Sequence, residues 1–349
     1  MSRTPSERGS VLAAQGERPT PSPDPSSSVP ARLGSAAPTP ASAPREVEDK
    51  KRIPAIRRRL ELRDTITGEI SPKSVVASGD GLFFAQNMMY RHTITAYDRR
   101  GRLRAGEHAY VSNHSMYGAG FGGEGSDMCA PGDGTDHSYV YRIDTATLEI
   151  DDVIEVGAVP KYVAVSPDGR WVLVTNWCTY DLTVIDAAKG REVRRVDIGA
   201  YRRGIVIDPA SETAYVAVMG STHIVVVDLG DLSVSTIDGV GGGPRDLRMG
   251  PGGAFLYATL NAEGTVAKIH RRTGKVRAKV RTGAAPRSLA ISGDGTAEYV
   301  VNYNSDTVSK IRTRDMRVVQ TVDTNDKPIG ITYDAGSRQL WVACYSGAS

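Results

Sequence analysis

The chain has 349 residues and a formal charge of only +3, with 43 lysines and arginines against 40 acidic residues. Its three cysteines, Cys129, Cys178 and Cys344, are too few for a disulfide-framed scaffold and lack the C-x-x-C spacing of a zinc site. No apolar run nears the roughly 18 residues of a membrane-spanning helix.

Residues 1–59 hold ten of the nineteen prolines and no aromatic residue, so they cannot bury enough apolar surface to offset chain entropy. They read as a disordered tail before an all-β domain at 60–349. Eleven lysines and arginines against six acids put the basic surplus in this tail and leave the rest slightly acidic, which gives a general nucleic-acid role no support. With no export signal in the written chain, a cytoplasmic location is expected.

Leu60 to Thr67 (LELRDTIT) precedes a first strand junction at Ser71-Pro72-Lys73 and reads as an outer β-strand, with Ile56 to Arg59 as a weak neighbour. From Asn87 to Asn113 the chain is shorter than a full repeat allows, so one strand is expected to be missing around 99–107. Residues 114–137 form a glycine-rich insert in a turn between two strands, bearing His114, Glu124, Asp127 and His137, the weak candidates for a divalent metal. The insert matches no known metal motif.

From Val159 a unit of about 42 residues repeats. Pro160, Pro244, Pro286 and Pro328 fall in step, with Arg202 in the missing slot, and a second register holds Asp144, Asp186, Asp228, His270 and Arg312. Each unit carries four short β-branched runs separated by turn residues, which predicts four-stranded antiparallel blades of a β-propeller. The aspartates are expected to cap turns through Asx bonds rather than to catalyse.

The stretch SPDGRWVLVTNWCTYDLTVID, with looser copies at SGDGLFFAQN, GPGGAFLYATLN and SGDGTAEYVVN, resembles the YVTN family of β-propeller repeats over about residues 65–349. That resemblance implies a seven-bladed propeller with binding or scaffold roles, often in the cell envelope, where the tail could act as a spacer. The last unit stops after two strands, Ile329 to Tyr333 and Gln339 to Cys344. Leu60 to Thr67 is therefore expected to complete it and close the ring.

The residue after each register proline is Lys73, Lys161, Arg203, Arg245 or Arg287, which would gather cations at the channel mouth and suit an anionic ligand. Trp177 and Tyr180 could stack a flat ligand beside them, and Cys129 and Cys178 are expected as free thiols, with a Cys129–Cys178 disulfide the alternative if the protein is exported. No catalytic motif appears, so the expectation is a non-catalytic module binding an anionic small molecule, a nucleic-acid strand or a protein partner, with no cofactor. A metal-dependent, lactonase-like hydrolase or lyase is the alternative.

Overall fold

In the computed structural model the described residues are 53–66, 72–77, 82–87, 93–98, 108–113, 138–144, 147, 149–199 and 201–345. Apart from a single 3-10 turn at Ala55–Arg57, their regular structure is all β. No helix among them is long and apolar enough to cross a membrane.

The strands fall into seven antiparallel sheets among the described residues. The first holds β1 (Pro72–Ala77), β2 (Leu82–Asn87) and β3 (Thr93–Asp98); the second holds β4 (His108–Asn113), β5 (Ser138–Asp144) and β6 (Ile150–Val156). Four full sheets follow: β7 (Pro160–Val165) to β10 (Arg191–Asp197), with β8 (Trp171–Asn176) and β9 (Asp181–Asp186) between; then β11 (Arg202–Ile207), β12 (Thr213–Val218), β13 (Ile224–Asp228) and β14 (Val234–Ile237). After them come β15 (Pro244–Met249), β16 (Phe255–Leu260), β17 (Thr265–His270) and β18 (Val276–Arg281), then β19 (Pro286–Ile291), β20 (Ala297–Asn302), β21 (Thr307–Arg312) and β22 (Arg317–Asp323). The last sheet is β23 (Pro328–Asp334) with β24 (Gln339–Cys344).

Both sequence registers coincide with strand ends. Pro160, Arg202, Pro244, Pro286 and Pro328 each open an innermost strand, and Asp144, Asp186, Asp228, His270 and Arg312 each close a third strand or its equivalent. The aspartates cap as expected: Asp144 Oδ1 accepts from Thr147 N at 2.9 Å, Asp186 Oδ1 from Lys189 N at 3.0 Å and Asp228 Oδ1 from Gly230 N at 2.7 Å. The first hairpin turn of the unit is held similarly. Ser166 Oγ donates to Asp168 Oδ1 and accepts from Trp171 N, and Ser292 with Asp294 repeats the arrangement. The left-handed position of that turn is glycine at Gly169, Gly253 and Gly295, and Ser211, at φ 59°, fills the remaining slot.

The core lies between sheets rather than within one. Leu173, Leu182 and Val184 of the third sheet meet Ile205, Val216 and Val225 of the fourth, and each later pair of sheets repeats this packing. Strands such as β8 and β16 are buried on both faces and read as nearly continuous apolar runs, whereas the outer β18 and β22 alternate half-buried and exposed. The last sheet packs on the first: Phe83 stacks on Trp341 with centroids 4.2 Å apart, and Ala77 N donates to Thr332 Oγ1. At that junction a Cβ on Gly330 would stand 2.9 Å from Ser74 Cα, so the two innermost strands approach as only glycine permits.

The expected closing strand is corrected. Residues 60–66 form no strand, and the last sheet has two strands among the described residues. The segment instead lies against the sixth and seventh sheets. Ala55 N donates to Asp294 Oδ2, Ile56 N to Thr296 Oγ1, and the buried Lys310 ammonium is wrapped by the carbonyls of Ala55, Ile56 and Arg58. Gln320 then imitates a strand partner for one residue, accepting from Leu60 N and donating to Leu60 O, both at 2.8 Å. Side-chain capture takes the backbone groups that a ladder would have used. Residues 53–59, read from sequence as tail, are thus part of this packing, with Ala55 in an apolar cluster beside Tyr299 and Ile331.

The first two sheets have three strands each among the described residues, in keeping with the short spacing between Asn87 and Asn113. The insert 114–137, with His114, Glu124, Asp127 and His137, lies outside the described residues.

Candidate functional site

Innermost strands β7, β11, β15, β19, β23 and β1 pack in succession, so the second residue of each stands at one end of the ring. Lys73, Lys161, Arg203, Arg245 and Arg287 hold that position, and Ile329 replaces the cation in β23. Four of these charges, on Lys161, Arg203, Arg245 and Arg287, sit against polarizable groups. Arg203 lies 4.5 Å and Lys161 5.5 Å from the Trp177 ring centre, Arg287 lies 3.3 Å and Lys327 5.4 Å from the Tyr303 ring centre, and Arg245 Nη1 is 3.3 Å from Met219 Sδ. Ring quadrupoles and a soft sulfur offset part of the mutual repulsion of such a row. Lys327, one residue before its register proline, was not singled out by the spacing, yet it shares the Tyr303 face with Arg287.

Trp177 is buried, edge-on to Tyr201 at 5.1 Å, with Arg203 and Lys161 on its ring. It braces the cations rather than presenting a bare face. Tyr180 is half-buried, holds a left-handed backbone (φ 62°) and tilts against Tyr201 at 6.5 Å. Tyr201, 47% exposed, is the open ring of the group. Cys178, buried beside Trp177, is disulfide-bonded, which corrects the expected free thiol; Cys344 is free, and Cys129 lies outside the described residues.

Deeper along the innermost strands is a polar brace that the sequence pattern did not reveal. Arg248 Nη1 on β15 donates to the Tyr162 hydroxyl on β7 at 2.7 Å and to Asp246 Oδ1 at 3.2 Å, while Asp246 Oδ2 accepts from Leu289 N on β19 at 3.0 Å. The link passes β11 at Gly204, where a Cβ would come within 2.7 Å of Asp246 Oδ1. Burial holds the Tyr162 hydroxyl above its ordinary pKa; burial also opposes the Arg248 charge, but Asp246 and Tyr162 together outweigh it and raise the guanidinium's pKa.

Residues 134–347, more than half of the chain, match the Cytochrome D1 heme domain family. The chain belongs to that family. Its fold is similar to that of Kuenenia stuttgartiensis hydrazine synthase, at 16% identity and a TM-score of 0.49 over 82% of this chain and 96% of that one. It is also similar to a functionally unknown protein from Desulfotomaculum acetoxidans DSM 771, at 17% identity and a TM-score of 0.54 over 59% of this chain and 69% of that one. No curated protein sequence matches. A β-propeller is thereby supported, while the assignment to YVTN repeats in particular gives way to the Cytochrome D1 heme domain family.

The expectation of no cofactor is corrected by this membership, because haem is the group that the family carries. The donors at the mouth suit the acidic edge of a haem: five cations of one register, with the thioether of Met219 touching one of them. The Tyr162–Arg248–Asp246 brace fills the level below with protein side chains. Two of the described histidines have ring partners outside the mouth: His108 pairs with Asp151 at 3.2 Å and His270 packs edge-on to Phe255. No group of three His, Cys, Asp or Glu side chains suited to a metal ion occurs among the described residues.

Proposed function

We propose that this protein is a haem-binding β-propeller that takes the carboxylate-bearing edge of the macrocycle on the ring of cations at its channel mouth. Lys73, Lys161, Arg203, Arg245 and Arg287 would hold the carboxylates, and the Tyr162–Arg248 brace would act as the floor that keeps the group at the mouth. When bound, a haem supplies one-electron and small-ligand chemistry at its iron; the chain supplies charge, orientation and a rim of Tyr201 and Tyr180. The observation that carries this reading is the recurrence of a cation at one strand position in five innermost strands, within a chain of the Cytochrome D1 heme domain family.

The ring is read as seven blades, one fewer than the eight of that family, because β23 of the last sheet packs directly on β1 of the first. The disulfide at Cys178 supports an oxidising compartment, in line with an envelope location.

Titration with hemin at low ionic strength, followed by its Soret band, tests the proposal. Saturable binding is expected, weakened at least tenfold by Arg245→Gln/Arg287→Gln and comparably by esterifying the hemin carboxylates. Equal binding of hemin and its dimethyl ester, or no saturable spectral change, would overturn it.

A further inference from the structure

Sheet edges expose unpaired backbone N–H and C=O groups, and proteins guard them with charge. Three of the four complete sheets do so. Their outermost strands carry Arg191, Glu192, Arg194 and Arg195 on β10, Arg277, Lys279 and Arg281 on β18, and Arg317 and Asp323 on β22. The exception is β14, Val-Ser-Thr-Ile, which has no charged residue, spans four residues against six or seven in the others, and exposes its first three side chains. It is hydrogen-bonded to β13 on one side and is the last strand of its sheet among the described residues.

Over the face of this sheet, along the cross-strand row Tyr215, Val226 and Ser235, a groove of about 700 Å³ lies between β14 and the turn that joins β17 to β18. Gly274, in a left-handed conformation (φ 64°), lies over the Ile237 side chain and forms the floor. Arg271, Arg272 and Lys275 line the far wall, with one acid, Asp238, among the lining residues. Arg271 is anchored by Asp208 at 3.1 Å, whereas Arg272 and Lys275 are exposed.

We propose that this edge is a docking site for an extended acidic peptide from a partner protein, which adds a strand to β14 and sets carboxylates against Arg272 and Lys275. Strand addition draws affinity from main-chain hydrogen bonds and specificity from the side chains alongside, and here the walls supply positive charge. Charge decides among the occupants. The chain's own residues 1–52 carry a surplus of basic groups, with the short acidic run Glu46 to Asp49 hemmed by Arg45 and by Lys50 to Arg52, and two copies joined through β14 would bring two Arg271–Lys275 turns together. The site is separate from the channel mouth.

Fluorescence anisotropy with a fluorescein-labelled peptide of alternating glutamate and valine, about eight residues long, provides the test. Saturable binding at low salt is expected, weakened at least tenfold by Arg272→Glu/Lys275→Glu and by Thr236→Lys, and unchanged by Arg245→Gln/Arg287→Gln; unaltered thermal melting establishes that these surface variants fold. Methylating alternate peptide nitrogens of the probe should abolish binding. Absence of binding, retention in Arg272→Glu/Lys275→Glu, equal binding of the methylated probe as for a mere anion site, or self-association through β14 that the peptide cannot displace would each overturn the proposal. Hemin binding reads the mouth separately, so failure of one reading leaves the other intact.

Discussion

Glu298 shows how much one side chain depends on its neighbours. It is the second residue of β20, just before Tyr299, Val300 and Val301, fully buried, with neither carboxylate oxygen hydrogen-bonded. Desolvation pushes its pKa up to about 8, against a partial counter-effect from Lys268. The folded protein therefore holds the proton more tightly than the unfolded chain. Stability falls as pH rises from about 4.5, where the unfolded carboxyl ionises, to about 8, and levels off above that; the accumulated penalty is on the order of several kcal/mol. Glu298→Gln should leave the melting temperature nearly unchanged at pH 5, raise it at pH 9, and flatten the slope between, as thermal denaturation across pH will show.

Gly330 presents a steric limit of a different kind. A methyl group there would press on Ser74 Cα and Val75 N of the first sheet, both backbone atoms that cannot rotate away. Gly330→Ala should destabilise by about 2 kcal/mol, the usual scale of overpacking, and should do so by opening the junction between last and first sheets. Urea denaturation measures the loss, and hydrogen exchange in β1 and β23 locates it.

At the scale of the element, the segment 53–66 substitutes for a strand without being one. Lys310, buried at 1% exposure, has its ammonium satisfied by three carbonyls of this segment. A chain starting at Arg52 should melt like the full protein. One starting at Glu61 leaves a buried cation without those acceptors and should lose about 3 kcal/mol or more. Adding Lys310→Met to the shorter chain should recover much of the loss, which distinguishes the buried charge from simple exposure of Tyr299 and Leu340.

The sheets themselves were legible because their signals are local. A Ser-x-Asp-Gly turn, an Asx cap and a run of β-branched residues each act within five or six positions, so their recurrence every 42 residues marks strand ends directly. Leu60 to Thr67 reads equally well as a strand by composition. What redirects it is Gln320, 260 residues away, which binds the Leu60 backbone, together with Lys310, which holds the preceding carbonyls of Ala55, Ile56 and Arg58. At the mouth, the cation register could be read from spacing, while the burial of Trp177 beneath Arg203 and Lys161 depends on three different strands and turns meeting.

At the scale of the whole molecule, the ring unites sheets whose sequence signals are alike but whose contributions are not. The second residues of five innermost strands stand at one end of the ring only because those strands pack in succession, and the groove beside β14 is basic because the next sheet's turn carries Arg271, Arg272 and Lys275. The order of residues alone established the repeat, its length, the strand ends and the basic register, since each depends on neighbours in the chain. Ring closure at Gly330, the Tyr162–Arg248–Asp246 brace, the proton on Glu298 and the groove beside β14 were decided by packing. Each joins residues from at least two sheets, and such pairs have no spacing in the sequence to announce them.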